Sequence, residues 1–244
     1  MTTLSFSAFN SLVLCLSVLL MLSAEGAPQT GAKQRWPLMR FVKTLTFFDA
    51  LPKLPFFQKV TIGTPTSELG PGSVLFSLAK GQRLDFGPLD DIVMGGVSQT
   101  QESGLDGGLF SGVVSTANNG GFAGIRTKLF SPAKNIATAK GIQLRVKGDG
   151  NRYKFIARDD TEWNGIAWSS SFDTTKDRST VVKIPIKGLK PTRFAKTLTD
   201  HKAFDQTRLS GIQITLSKFE YDGGLNPAFT EGPFSLLLEE IALY

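Results

Sequence analysis

Apolar and polar residues alternate along much of the chain after Ser73. Residues 142–147, 153–158, 182–186 and 212–217 each place an apolar side chain at every second position. Successive side chains of a strand point to opposite faces of a sheet, so this alternation predicts strands that bury one face and leave the other polar. We therefore expect this part of the chain to form β-sheet.

Turn-forming residues separate these runs, in the segments "DGG", "NNGG", "KGDGN" and "IKGLKP". Many short strands with regular turns and no long helical pattern predict an all-β domain, a β-sandwich or jelly roll, over residues 73–244. We interpret "GDG" at Gly148–Gly150 as a hairpin turn, and Pro185 predicts an edge or bulged strand. Further strands are predicted at Val74–Leu78, Leu109–Ser115, Phe122–Lys128, Ile166–Phe172 and Phe234–Tyr244.

An apolar run at residues 12–22 lies near the N-terminus and is too short to cross a bilayer comfortably. The segment "SAEGAP" follows, with Ala24 and Gly26 at the small-residue positions of a cleavage site. We interpret residues 1–26 as a signal peptide for the secretory pathway. An uncleaved anchor is the alternative, since no Lys or Arg precedes the apolar run.

Residues 27–72 differ from the body of the chain in charge. Residues 27–60 carry six Lys or Arg against Asp49 alone, a composition typical of transit segments. A signal peptide followed by a transit-like segment is what plastid proteins of algae with additional envelope membranes carry. We therefore hypothesise transport onward to a complex plastid, with the mitochondrion as the alternative. The segment "TPTSELGPG" (Thr64–Gly72) is expected to form a linker.

Residues 38–48 contain apolar residues at helical spacing, and Pro52 ends the pattern. A short helix packed on the domain is the interpretation that we favour, because so short a helix is marginal by itself. The alternative is an amphipathic helix that contacts a membrane peripherally or binds a partner. The apolar positions are Leu38, Phe41, Val42, Leu45 and Phe48.

Composition excludes several classes of chemistry. Most of the net charge of +6 comes from the basic N-terminal segment, so the body gives no indication of nucleic-acid binding. The chain has one cysteine, Cys15, and one histidine, His201. A disulfide framework, a thiolate nucleophile or a zinc site of the Cys/His type is therefore not expected. We interpret His201, in the polar stretch "LTDHKAFD", as an exposed loop residue.

The segment "DDIVMGGVSQTQ" (Asp90–Gln101) places two carboxylates side by side. Adjacent strand residues point to opposite faces, so Asp90 and Asp91 would not converge on one metal ion or one substrate. Aspartate in a turn more often bonds the local backbone, and we favour that role over a calcium site. The same reasoning applies to Asp159–Asp160.

Two glycine pairs, Gly95–Gly96 and Gly120–Gly121, allow positive φ or a close approach of the backbone. No phosphate-binding loop or dinucleotide fingerprint is present. Arg126 in "GGFAGIR" follows the second pair. This arginine is expected either to pair with Asp91 or another acid, or to face a partner or a ligand carboxylate.

Four ordered blocks resemble the complex I intermediate-associated protein 30 family. They are "DDIVMGGVSQTQ", "GLFSGVVSTANNGGFAGIR", "GIQLRVKGDGNRYKFIARD" and the terminal "EGPFSLLLEEIALY". The resemblance covers residues 73–244. Asp90 departs from the family pattern, which often has Asn there, and the connection Ser217–Phe234 is longer than expected for mitochondrial members.

The resemblance implies a galactose-binding-like β-sandwich and a non-enzymatic, chaperone-like assembly factor. Its implied partners are subunits or assembly intermediates of a membrane-bound electron-transport complex, of complex I type or photosynthetic. It assigns no catalytic residue, cofactor or metal ligand. We expect Met94 to fill the core rather than to be an adaptable contact. The residues assigned to structural or partner-surface loops are Asp91, Met94, Gly95, Gly96, Ser98, Asn119, Gly120, Gly121, Phe122, Arg126, Gly148, Asp149, Gly150 and Tyr153.

A carbohydrate-binding module of the secretory pathway is the alternative function. It rests on the sandwich fold, the signal peptide and two candidate aromatic contacts, Trp163 and Trp168. These tryptophans are five residues apart, so on one strand they would lie on opposite faces. One of them is therefore expected in the core.

Overall fold

The computed structural model describes residues 34–50, 65 and 67–244. The predicted signal peptide and the basic residues 27–33 and 51–64 lie outside the described residues. Helix α1 spans Leu38–Phe47. The strands are β1 (Val74–Ser77), β2 (Phe86–Pro88), β3 (Gln99–Thr100), β4 (Leu109–Val114), β5 (Phe122–Thr127), β6 (Gly141–Lys147), β7 (Arg152–Arg158), β8 (Ala167–Asp173), β9 (Ser179–Pro185), β10 (Lys190–Arg193), β11 (Lys196–Thr197), β12 (Gly211–Ser217) and β13 (Gly232–Leu243).

Two antiparallel sheets face each other, which confirms the predicted β-sandwich. One sheet has the order β3-β4-β13-β6-β9, with β1 also paired to β13, and the other has the order β11-β10-β8-β7-β12-β5-β2. The long strand β13 pairs with β4 along its first half, with β1 along its second half, and with β6 on its other side. Strand β9 is an edge strand that ends at Pro185, as predicted.

The connection at Gly148–Gly150 is not a hairpin turn, so that interpretation was wrong. Strand β6 pairs with β13 and β9, whereas β7 pairs with β12 and β8 in the other sheet. Alternation and a glycine turn are common to hairpins and to corners that cross between sheets. The sequence pattern alone therefore did not separate the two.

Residues 67–72, predicted as part of a linker, are bonded to the domain. The Leu69 N–H donates to Asn135 O, and the Gly72 N–H donates to Leu243 O. Strands β2, β3, β10 and β11 were not predicted, because two to four residues are too few to show an alternating pattern.

The core lies between the sheets and is built from the alternating residues. Aromatic rings occupy its centre: the Phe110 ring lies 4.9 Å from the Phe234 ring and 6.2 Å from the Tyr153 ring. The Tyr153 ring stacks on Phe172 at 6.0 Å. Phe110 and Tyr153 are fully buried, and burial of this size dominates the stability of a sandwich.

The outer face of the seven-stranded sheet is also buried, contrary to the expected one-sided burial. Lys154 and Arg158 alternate with core residues on β7, yet each is only 8% exposed. Residues 218–224 cover Lys154, whose Nζ donates to the carbonyls of Phe219 and Glu220. Segments far apart in sequence supply this cover, and strand periodicity carries no information about them.

Helix α1 packs on the domain with one side. Phe41 and Leu45 are buried against Ile92, and the Trp36 indole Nε1 donates to Ile92 O at 2.9 Å. This packing agrees with the favoured interpretation, although Leu38 remains 51% exposed. Among the residues that the structure describes, no helix is long and apolar enough to cross a membrane.

Truncating the central aromatic ring is expected to destabilise the sandwich strongly. The change Phe110→Ala leaves a cavity between two rings and should lower the free energy of unfolding by about 3–5 kcal/mol. Val113→Ala on the same strand is the control, because Val113 is 49% exposed and should cost less than about 1 kcal/mol. Urea unfolding measures both, and equal losses would contradict this description of the core.

Candidate functional site

A short 3₁₀ turn, Asp91–Met94, follows strand β2 and begins the site. Gly95 ends the turn with φ of 93°, a left-handed conformation that glycine adopts without strain. The Gly96 N–H then donates to Asp91 O at 2.9 Å. This tight turn places the two carboxylates of "DD" in the interior, where Asp90 and Asp91 are almost fully buried.

The Asp91 carboxylate joins three segments of the chain. Its Oδ1 accepts from the Ser98 N–H at 2.9 Å, and its Oδ2 accepts from Ser98 Oγ at 2.7 Å. The same Oδ2 accepts from the Gly121 N–H at 2.6 Å and the Phe122 N–H at 3.2 Å. Hydrogen bonds to an ionised carboxylate are short and strong. Asp91 therefore fixes the "NNGGF" turn at the start of β5 to the loop before β3.

Two of the glycines are explained by this carboxylate. A Cβ atom added at Gly96 would lie 2.3 Å from the Asp91 side chain, and one added at Gly120 would lie 2.4 Å from Asp91 Oδ2. No side chain fits at such distances. Glycine therefore occurs at these two positions because the backbone there lies very close to the buried Asp91 carboxylate.

The Asp90 carboxylate faces a different set of donors. Its Oδ1 accepts from Thr100 Oγ1 at 2.5 Å and the Gly124 N–H at 3.2 Å. Its Oδ2 accepts from the Thr100 N–H at 2.9 Å and lies 3.4 Å from Arg40 Nη2 of helix α1. Burial raises the pKa of Asp90 to about 6, while the Thr100 hydrogen bonds and Arg40 oppose that rise.

The "NNGG" turn itself contacts the N-terminal segment. Asn118 and Asn119 both have positive φ, 53° and 60°. Asn118 Nδ2 donates to Gln34 O at 3.0 Å and lies 3.4 Å from Gly95 O. The loop before β3, the loop before β5 and the segment before α1 therefore meet at one place.

Met94 was predicted to fill the core, and that prediction was wrong. The side chain is 67% exposed at the end of the 3₁₀ turn. Its neighbours in sequence, Ile92 and Val93, supply the apolar contacts with helix α1 instead. An apolar residue within a short turn follows neither helical nor strand periodicity, so the sequence did not show which way it points.

Arg126 does not pair with Asp91. Its side chain lies on the outer face of β5, where Nη1 donates to Trp163 O at 3.3 Å. The guanidinium lies 5.3 Å from the Trp163 ring and 5.9 Å from the Phe48 ring. Arg126 thus contacts two aromatic rings that lie 5.6 Å from each other, and one of them belongs to the segment after helix α1.

The "GDG" corner lies at the same end of the sandwich as the "NNGG" turn. Strands β5 and β7 are both antiparallel to β12, which pairs Ser217 with Phe122 and Leu216 with Tyr153. Both strands therefore begin at the end of the sandwich where β12 finishes. The corner itself is bonded through its backbone, with Gly148 O accepting from the Asp177 N–H and the Gly150 N–H donating to Thr174 Oγ1.

Asp149 is the acceptor that organises this corner. Its Oδ2 accepts from the Tyr153 hydroxyl at 3.0 Å and the Ser235 N–H at 2.8 Å, and its Oδ1 accepts from the Asn151 N–H at 3.0 Å. Burial and the adjacent Asp149 charge raise the pKa of Tyr153. The hydroxyl therefore stays protonated and acts as a donor.

The two tryptophans have separate roles. Trp168 is 4% exposed in the core, and its indole Nε1 donates to Asp159 at 3.0 Å. The exposed His201 ring packs against Trp168 edge to face at 5.3 Å. Trp163 lies over Arg126 outside the core. No group of three or more metal-ligating side chains occurs among the described residues.

Sequence reasoning missed three participants. Arg40 and Thr100 hold Asp90, and Glu231 accepts from Thr116 Oγ1 at 2.7 Å and from the Thr116 N–H at 2.8 Å. Arg40 lies on helix α1, Thr100 is a buried residue of strand β3, and Glu231 is an exposed residue before β13. No motif distinguishes them, and only the fold brings them to the glycine turns.

These features define a β-sandwich whose glycine-rich turns are anchored by buried carboxylates. The chain belongs to the complex I intermediate-associated protein 30 (CIA30) family, whose sequence profile matches residues 76–238. This match confirms the resemblance found from the motifs. Among curated proteins, no sequence matches the chain.

Several solved structures have a similar backbone. The family 11 carbohydrate-binding module from Clostridium thermocellum, in complex with a beta-1,3-1,4-mixed-linked tetrasaccharide, is 17% identical with a TM-score of 0.49, over 72% of this chain and 96% of that one. The family 11 module of the cellulosomal cellulase Lic26A-Cel5E of Clostridium thermocellum is 14% identical with a TM-score of 0.46, over 71% and 95%.

Replacing the Asp91 carboxylate by an amide is expected to destabilise the domain. The change Asp91→Asn replaces one carboxylate oxygen, which accepts hydrogen bonds, by an NH2 group, which donates them. The loss of charge-assisted hydrogen bonds should lower the free energy of unfolding by about 3 kcal/mol. The control is Asp200→Asn, because Asp200 is exposed and should change stability by less than about 0.5 kcal/mol. Thermal and urea unfolding measure the difference. Equal stability of the two variants would show that Asp91 does not anchor the turns.

Asp90 is expected to make stability depend on pH. The pKa of Asp90 in the folded chain, about 6, lies above the ordinary value of 3.8. The stability gained by protonating Asp90 is therefore complete below pH 3.8 and is lost as pH rises through 6. The unfolding free energy of the wild type should therefore fall, relative to Asp90→Asn, by about 2 kcal/mol between about pH 4.5 and 7.5. Parallel pH profiles of the two proteins would refute the raised pKa.

Proposed function

We propose that this chain acts as a non-enzymatic, chaperone-like assembly factor for a membrane-bound electron-transport complex, of complex I type or photosynthetic. Membership of the CIA30 family supports the class of function. The buried aspartates support a structural role for the motif, since their oxygens accept hydrogen bonds from backbone and hydroxyl groups. An assembly factor needs a stable domain and an exposed binding surface more than a reaction centre.

The observation that carries the proposal is an apolar surface on helix α1 and the adjoining 3₁₀ turn, which we call the helix surface. Leu38 is 51% exposed, Met39 70%, Val42 38% and Met94 67%. Exposed apolar clusters mark interaction sites, and methionine adapts to varied apolar partners. Phe41 and Leu45, beside these residues on the same helix, are buried against the domain, so the exposed side chains are held in place.

Basic residues accompany the helix surface. Arg40 and Lys43 lie on the same helix, although Arg40 bonds Thr100 O and Lys43 pairs with Glu102 at 2.9 Å. We propose that the helix surface binds an apolar segment of an unassembled membrane-complex subunit, and that it also permits peripheral contact with the membrane. We propose that the chain reaches a complex plastid by way of the secretory pathway. The mitochondrion is the alternative compartment.

The carbohydrate-binding alternative finds less support in the positions of the two tryptophans. Trp168 belongs to the core, and the Trp163 ring lies beside Arg126 and Phe48. The two rings therefore do not form a paired aromatic platform for a sugar chain.

Native co-purification tests the assembly role. The C-terminally tagged chain is recovered from fractionated organelles, and its partners are identified by mass spectrometry. The triple variant Leu38→Ser, Met39→Ser and Val42→Ser should lower recovery of immature subunits about tenfold or more, because removing each apolar side chain weakens binding. Leu225→Ser is the control, since Leu225 is 74% exposed elsewhere and should leave recovery unchanged.

Unchanged melting temperatures would show that both variants are folded. Recovery of subunits from one organelle identifies the compartment. Recovery of the wild-type chain alone, from every fraction, would refute the assembly role. Recovery that the triple variant does not lower would refute the helix surface as the binding site.

A further inference from the structure

Two arginines and a glutamine lie together on the covered outer face of the seven-stranded sheet. Arg126 on β5 is directly opposite Gln213 on β12. Arg158 on β7 is directly opposite Gly211, two residues before Gln213 on β12. Gly211 contributes no side chain to this face, and the Arg158 charge is close enough to act on Arg126.

All three side chains are buried. Arg126 is 5% exposed, Arg158 8% and Gln213 7%. Residues 159–166 and Phe48 provide the cover, since Arg126 Nη1 donates to Trp163 O and Arg158 Nη1 donates to Gly165 O, both at 3.3 Å. A guanidinium has five N–H donors, and these single bonds are the ones that each arginine makes among the described residues.

Two buried polar atoms in this cluster have no hydrogen-bond partner among the described residues: Arg158 Nε and Gln213 Oε1. The glutamine amide is oriented by its other end, since Gln213 Nε2 donates to Thr215 Oγ1 at 2.9 Å. An unpartnered buried polar atom is costly and uncommon in folded proteins. One atom is a donor and the other an acceptor, so a ligand that satisfies both carries an acceptor and a donor.

The two guanidiniums of the cluster also lack direct ion pairs. Neither Arg126 nor Arg158 has a carboxylate within salt-bridge distance in the described part of the chain. Asp160 acts electrostatically on both arginines and Asp159 on Arg158, but the oxygens of these acids accept from other donors: the N–H groups of Glu162 and Ile166 for Asp160, and Trp168 Nε1 and the Asp205 N–H for Asp159. Burial lowers the pKa of both arginines, and the nearby Arg158 charge lowers that of Arg126 further.

Other cations of the same face are paired, which makes the arginine pair distinctive. Arg152 bonds Asp173 at 2.7 Å and Glu220 at 2.9 Å. Lys154 donates to two carbonyls and lies 5.0 Å from the Tyr221 ring. Arg126 and Arg158 differ from these cations because each makes a single hydrogen bond among the described residues.

We propose that Arg126, Arg158 and Gln213 bind a small oxyanion that also carries a hydroxyl group, either a phosphate or a hydroxycarboxylate. The guanidiniums donate to the oxyanion, in the geometry that arginine forms with carboxylate and phosphate oxygens. Gln213 Oε1 accepts from the hydroxyl. This site is independent of the helix surface and of the assembly role.

Matched pairs of probes test the ligand chemistry. Hydrogen phosphate carries a hydroxyl at neutral pH, whereas sulfate does not, and glycolate differs from acetate in the same way. Calorimetric titration of the full chain at constant ionic strength should give tighter binding for the hydroxyl member of each pair. The tighter of phosphate and glycolate identifies the source of the oxyanion.

Variants test the residues. Arg126→Gln and Arg158→Gln should each weaken binding of the preferred probe about tenfold or more, because charge-assisted hydrogen bonds are the stronger kind. Arg145→Gln, which removes an exposed arginine from the other sheet, should change binding less than about twofold. Gln213→Glu places a carboxylate beside both guanidiniums, so it should raise the melting temperature without ligand and abolish binding.

Each outcome decides for or against the site. Tighter binding of hydroxyl probes, lost in the two arginine variants and in Gln213→Glu, supports it. Equal binding within both pairs, equal effects of Arg145→Gln and Arg158→Gln, or no binding by any probe would overturn it. A lower melting temperature of Gln213→Glu would also overturn it. That result would show that a carboxylate at this position is not stabilised by the two guanidiniums.

Discussion

The arrangement of this sandwich depends on two adjacent carboxylates that are buried and turned toward backbone donors. Asp91 gathers N–H groups from Ser98, Gly121 and Phe122, and Asp90 gathers those of Thr100 and Gly124. Loops at the end of a sandwich otherwise leave donors without strand partners. The aspartates supply those partners and hold edge strands β2 and β3 at their positions in two different sheets.

The glycines of the motif follow from the same constraint. Backbone must come within hydrogen-bond distance of a carboxylate on several sides, and a Cβ atom at Gly96 or Gly120 would occupy the space of that carboxylate. The segment "DDIVMGG" thus folds around the carboxylates that it carries.

Much of the core could be predicted from the sequence, because strict alternation reports which face of a strand is buried. The strands around Ile142, Phe155 and Ile214 lie in the core as expected. The assignment of strands to sheets could not be predicted, since a corner such as Gly148–Gly150 and a hairpin have similar turn residues. The second buried face was also missed, because strand periodicity does not show that Lys154 is covered by a loop remote in sequence and Arg158 by the loop after its own strand.

Exposure of the candidate residues was the least predictable property. Met94 lies in a turn of four residues, where no periodicity indicates its direction. Arg126 lies on a strand whose alternation places it correctly on the outer face, yet its neighbours Trp163 and Phe48 come from a loop and from the N-terminal segment. The alternation along a strand shows on which face of the sheet a side chain lies. The tertiary fold determines which residues pack against that face.

The contact between Arg40 and the interior carboxylate of Asp90 has a consequence for proteolytic maturation. Residues 34–50 contribute Arg40 to Asp90, Trp36 to Ile92 and Phe48 to Arg126. If a peptidase removes a targeting sequence from this chain, its cut must fall before Trp36 for the domain to keep these partners. A cut after helix α1 would remove Arg40, and the buried Asp90 carboxylate would then lack the cation that lies 3.4 Å from it.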